Sequence, residues 1–239
     1  MVAFYTRLLS PAEFGIVGYA VVFTRILTGV VGLGLSGAQA RMYYDVREDS
    51  ARLGTMLYSL NSSLVLLAVA VCAVLTLFGE PIYARLGVAN CVPFWLYIAF
   101  SVWTVPVALL HLSVSTFYRA SKQFARLSIL EICFAGSTVL FGLLFVGLLR
   151  RGGLGRLQVP LAAHTLYVGV AFWGLARIFR RPFSAKYAVS GLRFGLPLVA
   201  HRLSSVLHEF IDRIILAQYV AMEGVGVYSL AYAIGMVMS

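Results

Sequence analysis

The fold is decided by residues 63–78, which read SLVLLAVAVCAVLTLF and contain no charged side chain. This run lies in an apolar block over residues 54–79 that stops at Gly79-Glu80-Pro81. A helix rises about 1.5 Å per residue, so about 20 such residues cross the roughly 30 Å hydrocarbon core of a bilayer. We therefore predict a transmembrane helix in this block.

Five other blocks have the same character, and a seventh begins near the end of the chain. The complete spans are predicted at 16–37, 54–79, 93–117, 126–149, 157–177 and 194–219, and the incomplete one from 225 onward. The runs lack the apolar–polar alternation of membrane barrel strands. The sequence thus predicts an all-α, polytopic helical membrane protein with six complete spans plus the start of a seventh.

The composition of the 239 residues agrees, because 61% are apolar and only 12% are charged. A soluble domain has about 25% charged residues and needs a polar surface. We therefore exclude a soluble enzyme, a secreted disulfide scaffold and a disordered chain. Cys72, Cys91 and Cys133 have no metal-ligand spacing and are interpreted as small apolar residues. No cofactor, metal or catalytic residue is predicted.

The net charge of +10 comes from 19 Lys and Arg against 9 Asp and Glu. Most basic residues lie in alternate loops, around residues 41–52, 119–126 and 177–193. Loops enriched in Lys and Arg remain on the cytoplasmic side of a membrane. The basic excess therefore indicates topology at an anionic membrane surface, and we expect no nucleic-acid partner.

Both ends of the chain look cut, and the sequence contains an internal repeat. Residues 9–16 (LSPAEFGI) can be laid over residues 220–227 (VAMEGVGV). Six spans separate the copies, so both run in the same direction, which is typical of two parallel lobes; the alternative is a chance glycine at two helix starts. We place a first lobe lacking most of its first span at 1–190 and the start of a truncated second lobe at 191–239.

Six ionisable side chains lie within the predicted spans, where charge is costly and usually faces a bundle interior or a hydrated cavity. They are Arg25, Glu131, Arg202, Glu209, Asp212 and Arg213. Helical spacing places Arg25 on one narrow face with Gly18, Gly29, Gly32 and Ser36. It places Glu131 on another with Ala135, Thr138 and Gly142.

The sixth span is polar over about half its circumference, through His201, Arg202, Ser204, Ser205, His208, Glu209, Asp212 and Arg213. Two interpretations stay open. Glu209 and Arg213, like His208 and Asp212, are spaced to pair within the helix and ease its insertion. Alternatively, the face lines a cavity in which the planar guanidinium groups of Arg bind an anionic substrate such as pyrophosphate.

The candidate substrate-binding residues are Arg25, Glu131, Arg202, His208, Glu209, Asp212 and Arg213. His111 and His164 stand alone in their spans, and we expect both to serve packing. Residues 32–37 match G-x-G-x-x-G, and residues 208–212 resemble a zinc motif. The glycine motif has no strand before it, and the zinc-like motif has no third ligand. The two motifs therefore predict neither a dinucleotide site nor a zinc site.

Three stretches together resemble the Wzx-like polysaccharide biosynthesis flippases of the multidrug/oligosaccharidyl-lipid/polysaccharide exporter superfamily. They are RLLSPAEFG at 7–15, YRASKQF at 118–124, and residues 193–213, which begin RFGLPL, followed by GVYS at 226–229. The resemblance covers the whole chain but about half of a family member. Family members have about twelve to fourteen spans in two lobes around a central cavity, so we expect a fragment of the full transporter.

The resemblance implies flipping of undecaprenyl-pyrophosphate-linked oligosaccharide across the bacterial inner membrane for cell-surface polysaccharide such as O-antigen. The implied partners are this lipid-linked substrate, membrane lipid and glycan-assembly proteins, and no enzymatic activity is expected. One alternative is an ion-coupled drug exporter of the same superfamily, with Glu131 or Asp212 carrying protons. Another is a polytopic polysaccharide polymerase or ligase, against which the short loops count.

Overall fold

The computed structural model describes residues 2–84, 92–179 and 182–238, and within them the chain forms helices joined by short turns, without a strand. The helices are α1 (Val2–Leu8), α2 (Pro11–Val31), α3 (Leu35–Val46), α4 (Ser50–Ala84), α5 (Ala99–Val102), α6 (Thr104–Ala120), α7 (Phe124–Gly142), α8 (Gly152–Phe179), α9 (Ala185–Tyr219) and α10 (Met222–Met238). π-helical turns at Phe94–Ile98 and Leu143–Leu148 lead into α5 and out of α7.

Every predicted span coincides with one helix or with a run of consecutive helical segments, so the all-α membrane fold is confirmed. Among the described residues, four segments are long and apolar enough to cross a bilayer, namely Pro11–Val46, Ser50–Pro81, Phe94–Ala120 and Phe124–Leu148. The 28-residue α8 and the 35-residue α9 are also long enough to cross a bilayer.

Large apolar side chains lie on the outer surface of the bundle as well as in its core. Tyr19, Met56 and Leu60 are fully buried where α2 and α4 meet the rest of the bundle. Ile132 on α7 and Trp173 on α8 project outward, and the indole of Trp173 is 90% exposed. Apolar side chains on both sides of a helix are expected where one side packs on protein and the other on lipid.

The start of α2 is fixed by a capping box. The Ser10 hydroxyl accepts a hydrogen bond from the Glu13 backbone, and the Glu13 carboxylate accepts one from the Ser10 backbone N–H at 2.9 Å. Pro11 follows at the first helical position, where its missing N–H costs nothing. The same carboxylate accepts the Gly153 N–H at 3.1 Å, which ties the first turn of α2 to that of α8.

The glycine-rich run at 32–37 is a break in a membrane helix. α2 ends at Val31, α3 begins at Leu35, and Gly34 between them has φ +61°, a left-handed conformation that favours glycine. A dinucleotide fingerprint needs a strand before its glycines, and here a helix precedes them. The motif is therefore a turn within the first span.

The closest packing between repeat copies is a reciprocal contact of α2 with α10. A Cβ atom at Gly15 would overlap the carbonyl oxygen of Met222, and one at Gly226 would overlap that of Pro11. In the register of the repeat, Pro11 corresponds to Met222 and Gly15 to Gly226. The two contacts therefore exchange under a pseudo-two-fold operation, which supports the repeat as a structural one.

The amino-terminal half of α9 packs on the first lobe. Gly191 lies against Leu60, and Gly195 lies against the backbone of Leu33 at the break between α2 and α3. The packing thus continues past residue 190, and the division of the chain into 1–190 and 191–239 stays a prediction.

Candidate functional site

A cavity of about 220 Å³ lies between α2, α3, α4 and α6, and Arg25 supplies the charge of its wall. Gly29, Gly32 and Ser36, which share the predicted face with Arg25, also line it. Their small side chains leave the space that the cavity occupies. Gly18, the remaining member of that face, packs against Ser229 instead.

The cavity also contains amide and hydroxyl groups that the sequence analysis did not single out. Gln39 donates to the backbone carbonyl of Ser113 at 2.9 Å and accepts from the Ser113 hydroxyl, which joins α3 to α6. Asn61 donates to the Leu57 carbonyl at 2.8 Å. The Asn61 side-chain oxygen is buried and has no partner among the described residues, so it can accept a hydrogen bond from a ligand.

Glu131 belongs to a second polar cluster, formed where α6, α7 and α8 meet. His111 Nε2 lies 3.3 Å from a Glu131 carboxylate oxygen, and His111 Nδ1 lies 3.0 Å from His164 Nδ1. Ser115 donates to the same carboxylate at 2.8 Å and lies 3.0 Å from the Tyr167 hydroxyl. We define these five residues, His111, Ser115, Glu131, His164 and Tyr167, as the histidine cluster.

His111 and His164 pack within the bundle, as expected, but they are not isolated from each other. Each is the single histidine of its span, and the fold brings the two rings together across two helices. Packing is also present, because the His111 ring stacks on the Tyr167 ring with centroids 3.7 Å apart. Spacing within one helix cannot reveal such a pair, since the partners are 53 residues apart in the sequence.

On α9, Asp212 and Arg213 contact α10. Tyr228 donates a hydrogen bond to the Asp212 carboxylate, and the Arg213 guanidinium lies 4.8 Å from the centroid of the Tyr232 ring. Arg213 is buried, whereas His208 is exposed. Among the described residues, His208 forms no ion pair with Asp212, so this predicted local pairing is not formed. The side chains of Arg202 and Glu209 lie outside the described part of the chain.

The candidate residues therefore fall in separate places. Arg25 lines the cavity, Glu131 lies in the histidine cluster, and Asp212 and Arg213 lie at the contact of α9 with α10. Their role in binding substrate stays a prediction. Within the described residues, no group of three or more His, Cys, Asp or Glu side chains is arranged to hold a metal ion.

Three comparisons with known proteins bear on this arrangement. No curated protein matches the chain. A solved structure of a multidrug resistance MATE family transporter of the MOP superfamily, in an inward-facing conformation, is similar with a TM-score of 0.72 at 18% identity. The similarity covers 98% of this chain and 56% of that transporter, so the chain spans about half of its length.

The family model described as "Polysaccharide biosynthesis protein" matches residues 1–239, the whole of the chain. This match and the transporter-like fold agree with the family resemblance seen in the motifs at 7–15, 118–124 and 193–229. The chain is a helical membrane protein that belongs to the polysaccharide biosynthesis protein family.

Proposed function

We propose that the chain is part of a flippase that moves undecaprenyl-pyrophosphate-linked oligosaccharide across the bacterial inner membrane for cell-surface polysaccharide synthesis. The observation that carries the proposal is the cavity in which Arg25 lies beside amide and hydroxyl groups. A guanidinium binds pyrophosphate oxygens in a bidentate manner, and amides and hydroxyls bind sugars. The family match supports a substrate from polysaccharide synthesis.

The size of the cavity limits what this chain binds by itself. Its volume of about 220 Å³ is below the roughly 300–1,000 Å³ of pockets that enclose a drug-sized ligand. We therefore propose that it holds one group of the substrate, the pyrophosphate or a single sugar. The remainder of the oligosaccharide would contact the second lobe.

The charge distribution supports an orientation with the basic loops in the cytoplasm. In that orientation the first turns of α2 and α10 lie at the outer face, where Gly15 and Gly226 bring the two helices into contact. This arrangement would close the outer end, as expected for a flippase that receives its substrate from the cytoplasmic leaflet. It agrees with the inward-facing conformation of the similar MATE transporter.

The proposal is tested by restoring surface polysaccharide in a flippase-null strain with the full-length gene that encodes this chain. The variant Arg25→Ala should reduce export by about 10- to 100-fold, because hydrogen bonds to charged groups contribute about 1.5–3 kcal/mol and 1.4 kcal/mol is a tenfold change. Arg25→Lys should retain intermediate export, since it keeps the positive charge and loses the bidentate hydrogen bonding of the guanidinium.

The matched control is Arg126→Ala, which removes an exposed guanidinium that binds only Gln123 among the contacts the structure shows. It should leave export near the wild-type level at equal amounts of membrane protein. Wild-type export in Arg25→Ala would reduce Arg25 to a structural charge. Failure of the full-length gene with every repeat unit tested would contradict the flippase function itself.

The second candidate is an ion-coupled drug exporter, which the hydrogen-bonded Glu131 of the histidine cluster favours. It predicts that expression lowers cellular accumulation of cationic dyes without changing surface polysaccharide. We propose that neither function includes catalysis. We also propose that glycan-assembly proteins are partners of the chain, which co-purification would test.

A further inference from the structure

The basic residues that membrane topology does not explain lie together at one corner of the bundle. Lys and Arg are enriched in cytoplasmic loops and depleted from loops on the opposite side of a membrane. In the predicted topology the opposite side nevertheless has five arginines, namely Arg7, Arg85, Arg150, Arg151 and Arg156. All except Arg85, which is outside the described residues, lie where α1, the π-helical turn at Leu143–Leu148 and α8 meet. We define these four as the outer arginine corner.

The packing of α1 builds this corner. A Cβ atom at Gly147 of the π-helical turn would lie 3.3 Å from the Phe4 ring of α1. Tyr5, the next residue, is buried in a small apolar cluster with Val146 of the same turn. The guanidinium of Arg156, on the second turn of α8, lies over the Tyr5 ring, 4.4 Å from its centroid. Arg156 and Tyr5 are therefore the contact between α8 and α1.

This contact contains hydrogen-bond donors for which the described residues provide no acceptor. A guanidinium has five N–H groups, and the face of an aromatic ring attracts the cation without offering a lone pair. The Tyr5 side chain is only 3% exposed, and its hydroxyl is buried without a hydrogen-bond partner. Neither ion pair found among the described residues includes Arg156. Buried donors are normally paired, so an acceptor is missing beside Arg156 and Tyr5.

The acidic side chains on this side of the bundle are engaged elsewhere. The Glu13 carboxylate accepts backbone N–H groups at the starts of α2 and α8. Glu80 accepts the indole N–H of Trp95 at 2.9 Å, and Glu223 belongs to the first turn of α10. The described part of the outer arginine corner therefore keeps an excess of positive charge.

The surroundings of the corner favour the phosphate group of a lipid as the missing acceptor. Arg binds phosphate oxygens through two parallel hydrogen bonds. Leu144 and Leu148 of the π-helical turn and Leu8 of α1 are exposed beside the arginines, and Leu148 is 76% exposed. Basic side chains next to lipid-exposed apolar ones match an anionic lipid, which has its phosphate at the bilayer interface and its acyl chains below. A free phosphate ion would leave these leucines uncovered.

We propose that the outer arginine corner is a binding site for an anionic phospholipid, with Arg156 as the main donor to its phosphate and the Tyr5 hydroxyl as a second donor. The exposed arginines of the corner attract the lipid, and its acyl chains cover Leu144 and Leu148. The bound phosphate joins α1 to α8, because Tyr5 belongs to the first helix and Arg156 to the second. In the predicted orientation the lipid comes from the outer leaflet. The site does not depend on the proposed transport function.

The site is tested by fluorescence quenching of the full chain in liposomes. A bimane label on Leu148→Cys, with the native cysteines replaced by serine, reports on lipid at the corner, and brominated acyl chains quench it. We expect a relative binding constant of about five for brominated phosphatidylglycerol over brominated phosphatidylcholine. The matched control is the same label on Ile132→Cys, which is 70% exposed on α7 and should show no preference.

Substitutions at the contact assign the preference to its residues. Arg156→Gln should bring the preference at Leu148 close to one, whereas Arg156→Lys should retain part of it, since it keeps the charge. Tyr5→Phe keeps the ring, removes the hydroxyl and should lower the preference by about twofold. Arg126→Ala, on the cytoplasmic side, should leave it unchanged. Wild-type preference in both Arg156→Gln and Tyr5→Phe would overturn the site.

Two further results would also overturn the proposal. Equal quenching by the two lipids at Leu148, or the same preference at Ile132, would show that the corner does not select an anionic lipid. Inorganic phosphate, added at constant ionic strength against chloride, distinguishes a lipid phosphate from a free one. We expect it to leave the preference unchanged, and its loss would assign the corner to soluble phosphate instead.

Discussion

A disulfide across the contact of α2 with α10 tests the proposed closure of the outer end. A Cβ atom at Gly18 would lie 3.4 Å from the Cβ atom of Ser229 and 2.8 Å from its hydroxyl oxygen. Disulfides join Cβ atoms about 3.5–4.5 Å apart. The pair Gly18→Cys and Ser229→Cys therefore requires a shift of only about a few tenths of an ångström to form a bond.

The expected consequence is a reversible loss of transport. Alternating access requires the outer ends of α2 and α10 to separate, and a disulfide limits their Cβ separation to about 4.5 Å. Transport in the oxidised protein should therefore fall to the background of the flippase-null strain. A reductant should restore it to the level of the reduced double variant.

The assay uses the full-length gene with Cys72, Cys91 and Cys133 replaced by serine or alanine. Disulfide formation is measured as loss of thiol labelling by a maleimide polymer, and transport as surface polysaccharide. Each single variant provides one control. The pair Ile16→Cys and Ser229→Cys provides another, because Ile16 lies about 160° around α2 from Gly18 and should not bond.

Two results would refute the reasoning at different points. If the double variant keeps both thiols labelled under oxidising conditions, Gly18 and Ser229 do not meet in a populated state. If the disulfide forms and polysaccharide export continues, α2 and α10 do not separate at this level during transport.

Three further predictions concern stability in detergent, measured by thermal unfolding. Gly226→Leu should lower the melting temperature strongly because its side chain overlaps the backbone of α2, whereas Val227→Leu, at an exposed position, should not. Ser10→Ala should cost about 1 kcal/mol through loss of the cap, and an unchanged melting temperature would show that the cap is dispensable. Gln39→Leu should cost about 1–3 kcal/mol by leaving Ser113 without its partner, and adding Ser113→Ala should recover part of that loss.

The membrane fold could be predicted from the sequence because it follows from local composition. A run such as residues 63–78 has no charged side chain, so it forms a helix whose backbone satisfies itself in lipid wherever that run lies in the chain. The repeat was also visible, since Gly15 and Gly226 occupy equivalent places at the starts of two helices. The face containing Arg25, Gly29 and Gly32 followed from helical periodicity.

The composition of the cavity and of the histidine cluster was not predictable in the same way. Gln39 and Ser113, or His111 and His164, are separated by more than 50 residues and meet only after the helices pack. A polar residue within one span shows that burial needs a partner, but its spacing cannot identify a partner on another helix. Asn61 was not singled out from the sequence, and only the packed structure shows that it is buried on the cavity wall.

The sequence by itself determined that the chain is a bundle of membrane helices, where those helices lie, and which side chains carry charge into the bilayer. Tertiary structure alone decided that Arg25, Glu131 and Asp212 fall in three different environments. The physical reason is that the two results depend on different parts of the chain. Whether a segment crosses the membrane depends on the hydropathy of that segment alone, whereas the partner of each buried charge depends on which helix faces pack together.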